Sequence, residues 1–297
     1  MQAKFLRAPP PLAQGSLRHN ASSFPSLTCI NDIWWTDTAP SSSFQVSFRV
    51  FAGAYAASSG DSYTDVGFKI TTGPYPNPSN YEGNPDPPGK SSAYALNWAQ
   101  DISAEYNKSL IYLYDFAHSG DIVNSSLISP YQSVNNTFTA QADNQFLAYL
   151  TGEDRIVNWH SSDSLFTVFF GINDIDRALG VLTDWDERLP LIQDSYWAHV
   201  EKLYNAGARN FAFLNLPTYW LSPGIINRGN ATVVDVARHR NLLWNHELAK
   251  RFEHFQCTHR STFAKLVDVY GLWESMYAYP AAYGLSNVTE YCDAYYG

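Results

Sequence analysis

The sequence predicts an α/β fold, a three-layer α/β/α sandwich around a mostly parallel, flavodoxin-like sheet, and three observations predict it. Short apolar, β-prone runs alternate with longer stretches of helical spacing, the order that winds helices onto both faces of a parallel sheet. Residues 165–170 are apolar but for Thr167, as suits a strand covered on both faces. Glycine-bearing turns follow the first three strands, at Gly60, Gly120 and Gly171, and such sheets gather their functional groups at the carboxyl ends of strands.

Residues 1–45, rich in Ser, Pro and Ala, have no sustained period and read as an irregular, poorly ordered lead-in to a domain spanning 46–297. The first strand is expected at 46–52, with the small residues 53–59 as an irregular join to the turn Gly60-Asp61-Ser62. Six prolines, three glycines and three asparagines make 73–90 a surface loop, and Ser91-Ser92 suits the cap of a helix over 92–106. Residues 109–116 alternate apolar and aromatic side chains as a buried strand, and 134–150 return to helical spacing. After the strand 165–170 come a helix over 190–205 closed by Gly207, a strand at 211–216, a long helix at 232–255 and a short strand at 265–269.

At 297 residues and 45% hydrophobic content, the chain can bury one large core, and one domain is the starting expectation. The 28 acidic residues outnumber the 19 basic ones, and a net charge of -9 repels polyphosphates and anionic membranes, which excludes nucleic acid as a partner. No window approaches the roughly 18 to 20 apolar residues of a membrane-spanning helix. Prolines Pro9, Pro10 and Pro11 fall where a signal peptide needs its apolar stretch, so no export signal is visible. Sequons at Asn20, Asn107, Asn124, Asn135, Asn230 and Asn287 nevertheless favour the secretory route. The cysteines Cys29, Cys257 and Cys292 fit neither a zinc spacing nor a redox pair, and their odd number leaves at least one unpaired.

A serine hydroxyl becomes a nucleophile only when a base takes its proton and donors hold the oxyanion formed on attack. The three turns supply one nucleophile, Ser62, and three donors: the N–H groups of Ser62 and Gly120 and the side-chain amide of Asn173. The chain has a single Asp-x-x-His, Asp115 to His118, but it precedes Asn173 and reads as a pocket-lining or surface pair. His160, His199, His239, His246, His254 and His259 fall on loops or helices and read as solvated. Tyr75, Tyr81 and Trp98, near the expected crevice, could stack on sugar rings, although packing accounts for such residues more often.

The run Gly60-Asp61-Ser62-Tyr63-Thr64-Asp65-Val66-Gly67 resembles the first signature of the GDSL, or SGNH, hydrolases. Gly120 in Tyr114-Asp115-Phe116-Ala117-His118-Ser119-Gly120 and Asn173 in Phe170-Gly171-Ile172-Asn173-Asp174 fall where that family places its second and third signatures. Residues 200–211, Leu214-Asn215-Leu216-Pro217 and Pro280-Ala281-Ala282-Tyr283-Gly284 with Cys292 are similar to fungal acetylesterases of carbohydrate esterase family 16. Ser59 departs from the bulky apolar residue usual before the first signature. The resemblance implies a secreted, cofactor-free and metal-free serine esterase that removes acetyl groups from hemicellulose-derived sugars. It implies Ser62 as nucleophile, and Ser62, Gly120 and Asn173 as the oxyanion hole. It also implies a histidine base in an Asp-x-x-His after Cys292, which is expected downstream of Gly297, so that the chain as written should turn over slowly or not at all. The expected partner is a small-molecule or oligosaccharide ester, with a monomer favoured. A non-catalytic carbohydrate-binding protein and a lipid esterase on the same scaffold are the alternatives.

Overall fold

The structure, a computed structural model, describes residues 55–106, 109–131, 137–228 and 230–290. Residues 1–54, with the strand expected at 46–52, and 291–297 lie outside the described residues, as do Cys29 and Cys292. Five parallel strands stand in the order β2-β1-β3-β4-β5: β1 (Tyr55–Gly60), β2 (Tyr112–Asp115), β3 (Ser164–Phe169), β4 (Asn210–Leu214) and β5 (Phe263–Val267). The chain steps one way from β1 to β2 and the other way from β3 to β5. Right-handed crossovers therefore place α1 (Trp98–Ala104) on one face of the sheet and the π-helix Ala140–Leu147, α4 (Trp185–Asn205) and α6 (Ala231–Thr258) on the other. The other α-helices among the described residues are α2 (Ala148–Leu150), α3 (Ile172–Ala178), α5 (Pro223–Ile226) and α7 (Val269–Ala278), with 3-10 turns at Tyr219–Leu221 and Pro280–Tyr283.

The two faces have separate cores. Ala56, Ala99, Ile111 and Leu113 pack under α1, whereas the larger core joins Phe146, Phe166, Tyr196, Phe213, Trp244 and Phe255 beneath the other three helices. Tyr81 and Trp98, considered above as sugar platforms, are half-buried and pack against the smaller core, Trp98 against the larger one as well. Their rings cover apolar surface beside β2, where Leu113 N–H donates to Tyr81 C=O at 2.8 Å.

Several boundaries differ from expectation for local physical reasons. β1 runs through the small residues read as an irregular join, because β2 and β3 pair with it on both sides and their ladders outweigh its weak β propensity. α1 starts at Trp98, not near Ser92: Tyr94 sits at φ 54°, outside helical space, and Asn97 caps the helix in a reciprocal box with Gln100. α4 begins five residues before Pro190, which the helix carries inside its second turn. His199 is buried rather than solvated, its ring stacked obliquely on Phe138 at 5.2 Å and its Nδ1 2.6 Å from Ser195 C=O.

Candidate active site

The first three strands are adjacent in the sheet and parallel, so the turns that follow them emerge at one end. After β1 the chain tightens at once: the N–H groups of Thr64 and Asp65 donate to Asp61 C=O at 2.9 Å, and Tyr63 N–H donates to Asp61 Oδ1 at 3.1 Å. Ser62 rides the outside of this turn, half-buried. Among the described residues no hydrogen bond engages its hydroxyl, its N–H or the Gly120 N–H. After β2, Gly120 turns the chain at φ 87°, a left-handed conformation that disfavours a side chain. After β3, Gly171 takes φ 127° and passes so close to buried Trp244 that an added Cβ would lie 2.2 Å from its Cε2. That close passage launches α3 and sets Asn173 on its first turn.

Three side chains tie these turns together. Asp65 Oδ2 accepts from Ser119 N–H at 2.8 Å and Ser119 Oγ–H at 2.7 Å, while its Oδ1 accepts from Gly67 N–H at 2.7 Å. The first turn thus holds the residue next to Gly120. Asp174 receives Val123 N–H at 3.1 Å, and Asn173 Nδ2 donates to Asp121 C=O at 2.9 Å, so the third turn holds the second from the other side. A carboxamide has two N–H donors, which leaves Asn173 one for a substrate.

The site is rich in buried acid. Burial raises the Asp61 and Asp174 carboxyls to about 7 and Asp121 to about 8, and for Asp61 and Asp121 the neighbouring carboxylates push the same way. Asp115 is raised as well, again by burial first, and its oxygens accept from Val66 and Ala117 N–H. Asp115 is therefore spent on backbone amides and does not orient His118. His118 is exposed, with Nδ1 3.1 Å from Ser119 C=O and 3.6 Å from Asp121 Oδ1. Aromatic rings flank the Ser62 turn: Tyr63 stacks on Phe169 at 5.7 Å and meets Trp273 of α7 edge-on at 6.3 Å. The candidate-site residues Ser62, Gly120 and Asn173 thus sit on three linked turns. Sequence reasoning did not find the linking roles of Asp65, Asp121 and Asp174, though all three lie within or beside the motif residues. Among the described residues no group of His, Cys, Asp or Glu has the arrangement of a metal site.

The half-buried Ser62, Gly120 and Asn173 stand on three linked turns at one end of the sheet, and the class of protein follows from comparison with known families. The family model for GDSL-like lipase/acylhydrolase matches residues 59–297, and the chain belongs to that family. It is an ester hydrolase whose substrates are small-molecule esters. Over 244 residues it is 31% identical to an acetylesterase of Thermothelomyces thermophilus, covering 80% of this chain and 78% of that one. It is also 23% identical over 236 residues to the thermolabile hemolysin of Vibrio parahaemolyticus, covering 78% of this chain and 50% of that one. The solved structure of LAE5, an α/β hydrolase enzyme from the metagenome of Lake Arreo, aligns with a TM-score of 0.39 at 19% identity, covering 77% of this chain and 84% of that one. No described helix is long and apolar enough to cross a membrane.

Proposed function

We propose that this esterase removes acetyl groups from acetylated sugars or hemicellulose fragments, with Ser62 attacking the acyl carbon. The oxyanion that forms is held by Ser62 N–H, Gly120 N–H and the free donor of Asn173, and losing one such donor typically costs about 3 kcal/mol of transition-state stabilisation. The observation that carries this reading is the bracing of three turns by Asp65, Asp174 and Asn173 at the end of three adjacent strands. Acetyl specificity is supported by the acetylesterase relative and by the Tyr63, Phe169 and Trp273 rings, which crowd the turn bearing the nucleophile. Residues 1–297 hold one Asp-x-x-His, Asp115 to His118, and on this reading it is not the general base. Secretion belongs to the same reading, supported by sequons whose Asn230 and Asn287 stand exposed.

Acyl-chain selectivity tests the proposal. With imidazole supplied as proton acceptor, Ser62-dependent hydrolysis should fall by about tenfold or more from acetyl to octanoyl 4-nitrophenyl esters, because a small acyl site rejects added methylenes sterically. Acetate should also be released from acetylated xylan fragments. Preference for the octanoyl ester would point to a lipid esterase and overturn the sugar-ester reading.

A further inference from the structure

We infer that Gln141 is a positioning residue, a carboxamide clamp that locks the nucleophile turn onto the oxyanion turn; the inference rests on the reading of Ser62 and Gly120 given above. Gln141 is fully buried on the π-helix Ala140–Leu147. Its Oε1 accepts from Gly60 N–H at 2.9 Å, and its Nε2 donates to Gly60 C=O at 2.7 Å and to Asp121 Oδ2 at 2.5 Å. One side chain therefore satisfies both peptide groups of the residue two before Ser62 and grips the residue after Gly120. The amide orientation is forced, because a flipped carboxamide would set its NH2 against the Gly60 N–H and its oxygen against two acceptors.

The surroundings leave no cheap substitute for this contact. A Cβ at Gly60 would lie 2.9 Å from both Phe169 C=O and Thr64 Oγ1, so the strand end has no room to reach for another partner. The π-helix is itself docked on the second turn: Phe138 N–H donates to Ile122 C=O at 2.9 Å, just before the helix begins. A π-helical turn is a rare conformation found frequently at functional sites, and this one carries Gln141 into the gap between the Ser62 and Gly120 turns. The groups that face the clamp are acidic. Asp121 touches it, Asp61, Asp65 and Asp174 act on Asp121, and His118 stands 3.6 Å from the far oxygen of Asp121.

The geometry leads to different outcomes for two variants. Gln141→Leu leaves Gly60 N–H and Asp121 Oδ2 unpaired, with only His118 N–H at 3.3 Å remaining on Gly60 C=O, and loosens both turns. Gln141→Glu cannot donate when ionised, but regains one donor when protonated. The experiment measures Ser62-dependent hydrolysis of 4-nitrophenyl acetate with imidazole present, each variant expressed as a ratio to wild type at the same pH, so that the ionisation of imidazole cancels. Gln141→Leu should lower kcat by about 10- to 100-fold, the loss expected for misplaced reacting groups, with KM changed by less than about twofold. The Gln141→Glu ratio should be several-fold higher near about pH 5.5 than near about pH 8, because only the acid form donates. A Gln141→Leu enzyme that keeps kcat within about twofold, or a Gln141→Glu ratio that is flat with pH, overturns the inference. If Gln141→Leu fails to fold, the pH dependence of Gln141→Glu decides. If wild type shows no turnover beyond Ser62→Ala, the esterase reading fails by itself, and amide exchange then decides the clamp. Gln141→Leu or Gln141→Glu should speed exchange in segments 58–65 and 118–123 together, and unchanged exchange in both refutes it.

Discussion

Replacing Asp65 by Ala should destabilise the protein by about 3 kcal/mol and detach the Gly120 turn from the Ser62 turn. The magnitude follows from what the carboxylate holds: Gly67 N–H on one oxygen, and Ser119 N–H and Oγ–H on the other, at 2.7 to 2.8 Å. Hydrogen bonds to a charged acceptor contribute about 1.5 to 3 kcal/mol each, but three on one group do not add, and water can reach exposed Ser119 after truncation. For a domain of this size, about 3 kcal/mol lowers the melting temperature by roughly 6 to 12 °C. Two controls divide the effect. Ser119→Ala removes only the hydroxyl bond and should cost about 1 kcal/mol, while Asp65→Asn keeps one acceptor and should fall between the two. Thermal unfolding followed by circular dichroism measures all three. A melting temperature for Asp65→Ala within about 2 °C of wild type would show that the two turns are held by something else, and the bracing account would be wrong.

Gly171→Ala drives a methyl group to 2.2 Å from buried Trp244 at a φ of 127°, so overpacking and backbone strain together should cost about 3 to 5 kcal/mol. Thermal unfolding checks this, and a variant as stable as wild type would contradict the close passage described for β3. The buried carboxyls predict a pH dependence whose sign is fixed. Asp61 and Asp174 rise to about 7 and Asp121 to about 8 in the fold, from an ordinary value of 3.8, so the folded state binds more protons than the unfolded one between these limits. Their contribution is fully present below the unfolded value and is lost as pH rises through the folded values. The melting temperature should therefore fall by several degrees from about pH 5 to about pH 8, and a flat or rising profile would contradict the raised carboxyls.

The motif turns were legible from sequence because their requirements are local. Gly120 and Gly171 need left-handed backbone, Asp61 accepts from amides at most four residues away, and the apolar run 165–170 marks a strand wherever it occurs. What was missed depends on partners far along the chain. The join at 53–59 looked too small to be a strand, yet Ser58 lies between Asp115 and Thr167 in a sheet whose neighbours impose the pairing. Gln141 carries no sequence signal at all, since its partner Gly60 is 81 residues away and nothing near it marks a site. Tyr81 and Trp98 have the residue types of a sugar platform, but only the packing of α1 on the sheet shows that their rings pack against the smaller core. The crevice-side aromatics, Tyr63 and Trp273, come together from opposite ends of the domain.

The most direct measurement is the rate of 4-nitrophenyl acetate hydrolysis as imidazole is added to the wild-type chain and to Ser62→Ala. A rate that climbs with imidazole above the protein-free control, and loses that excess entirely in Ser62→Ala, is what the account predicts. Identical rates for the two proteins at every imidazole concentration would contradict it.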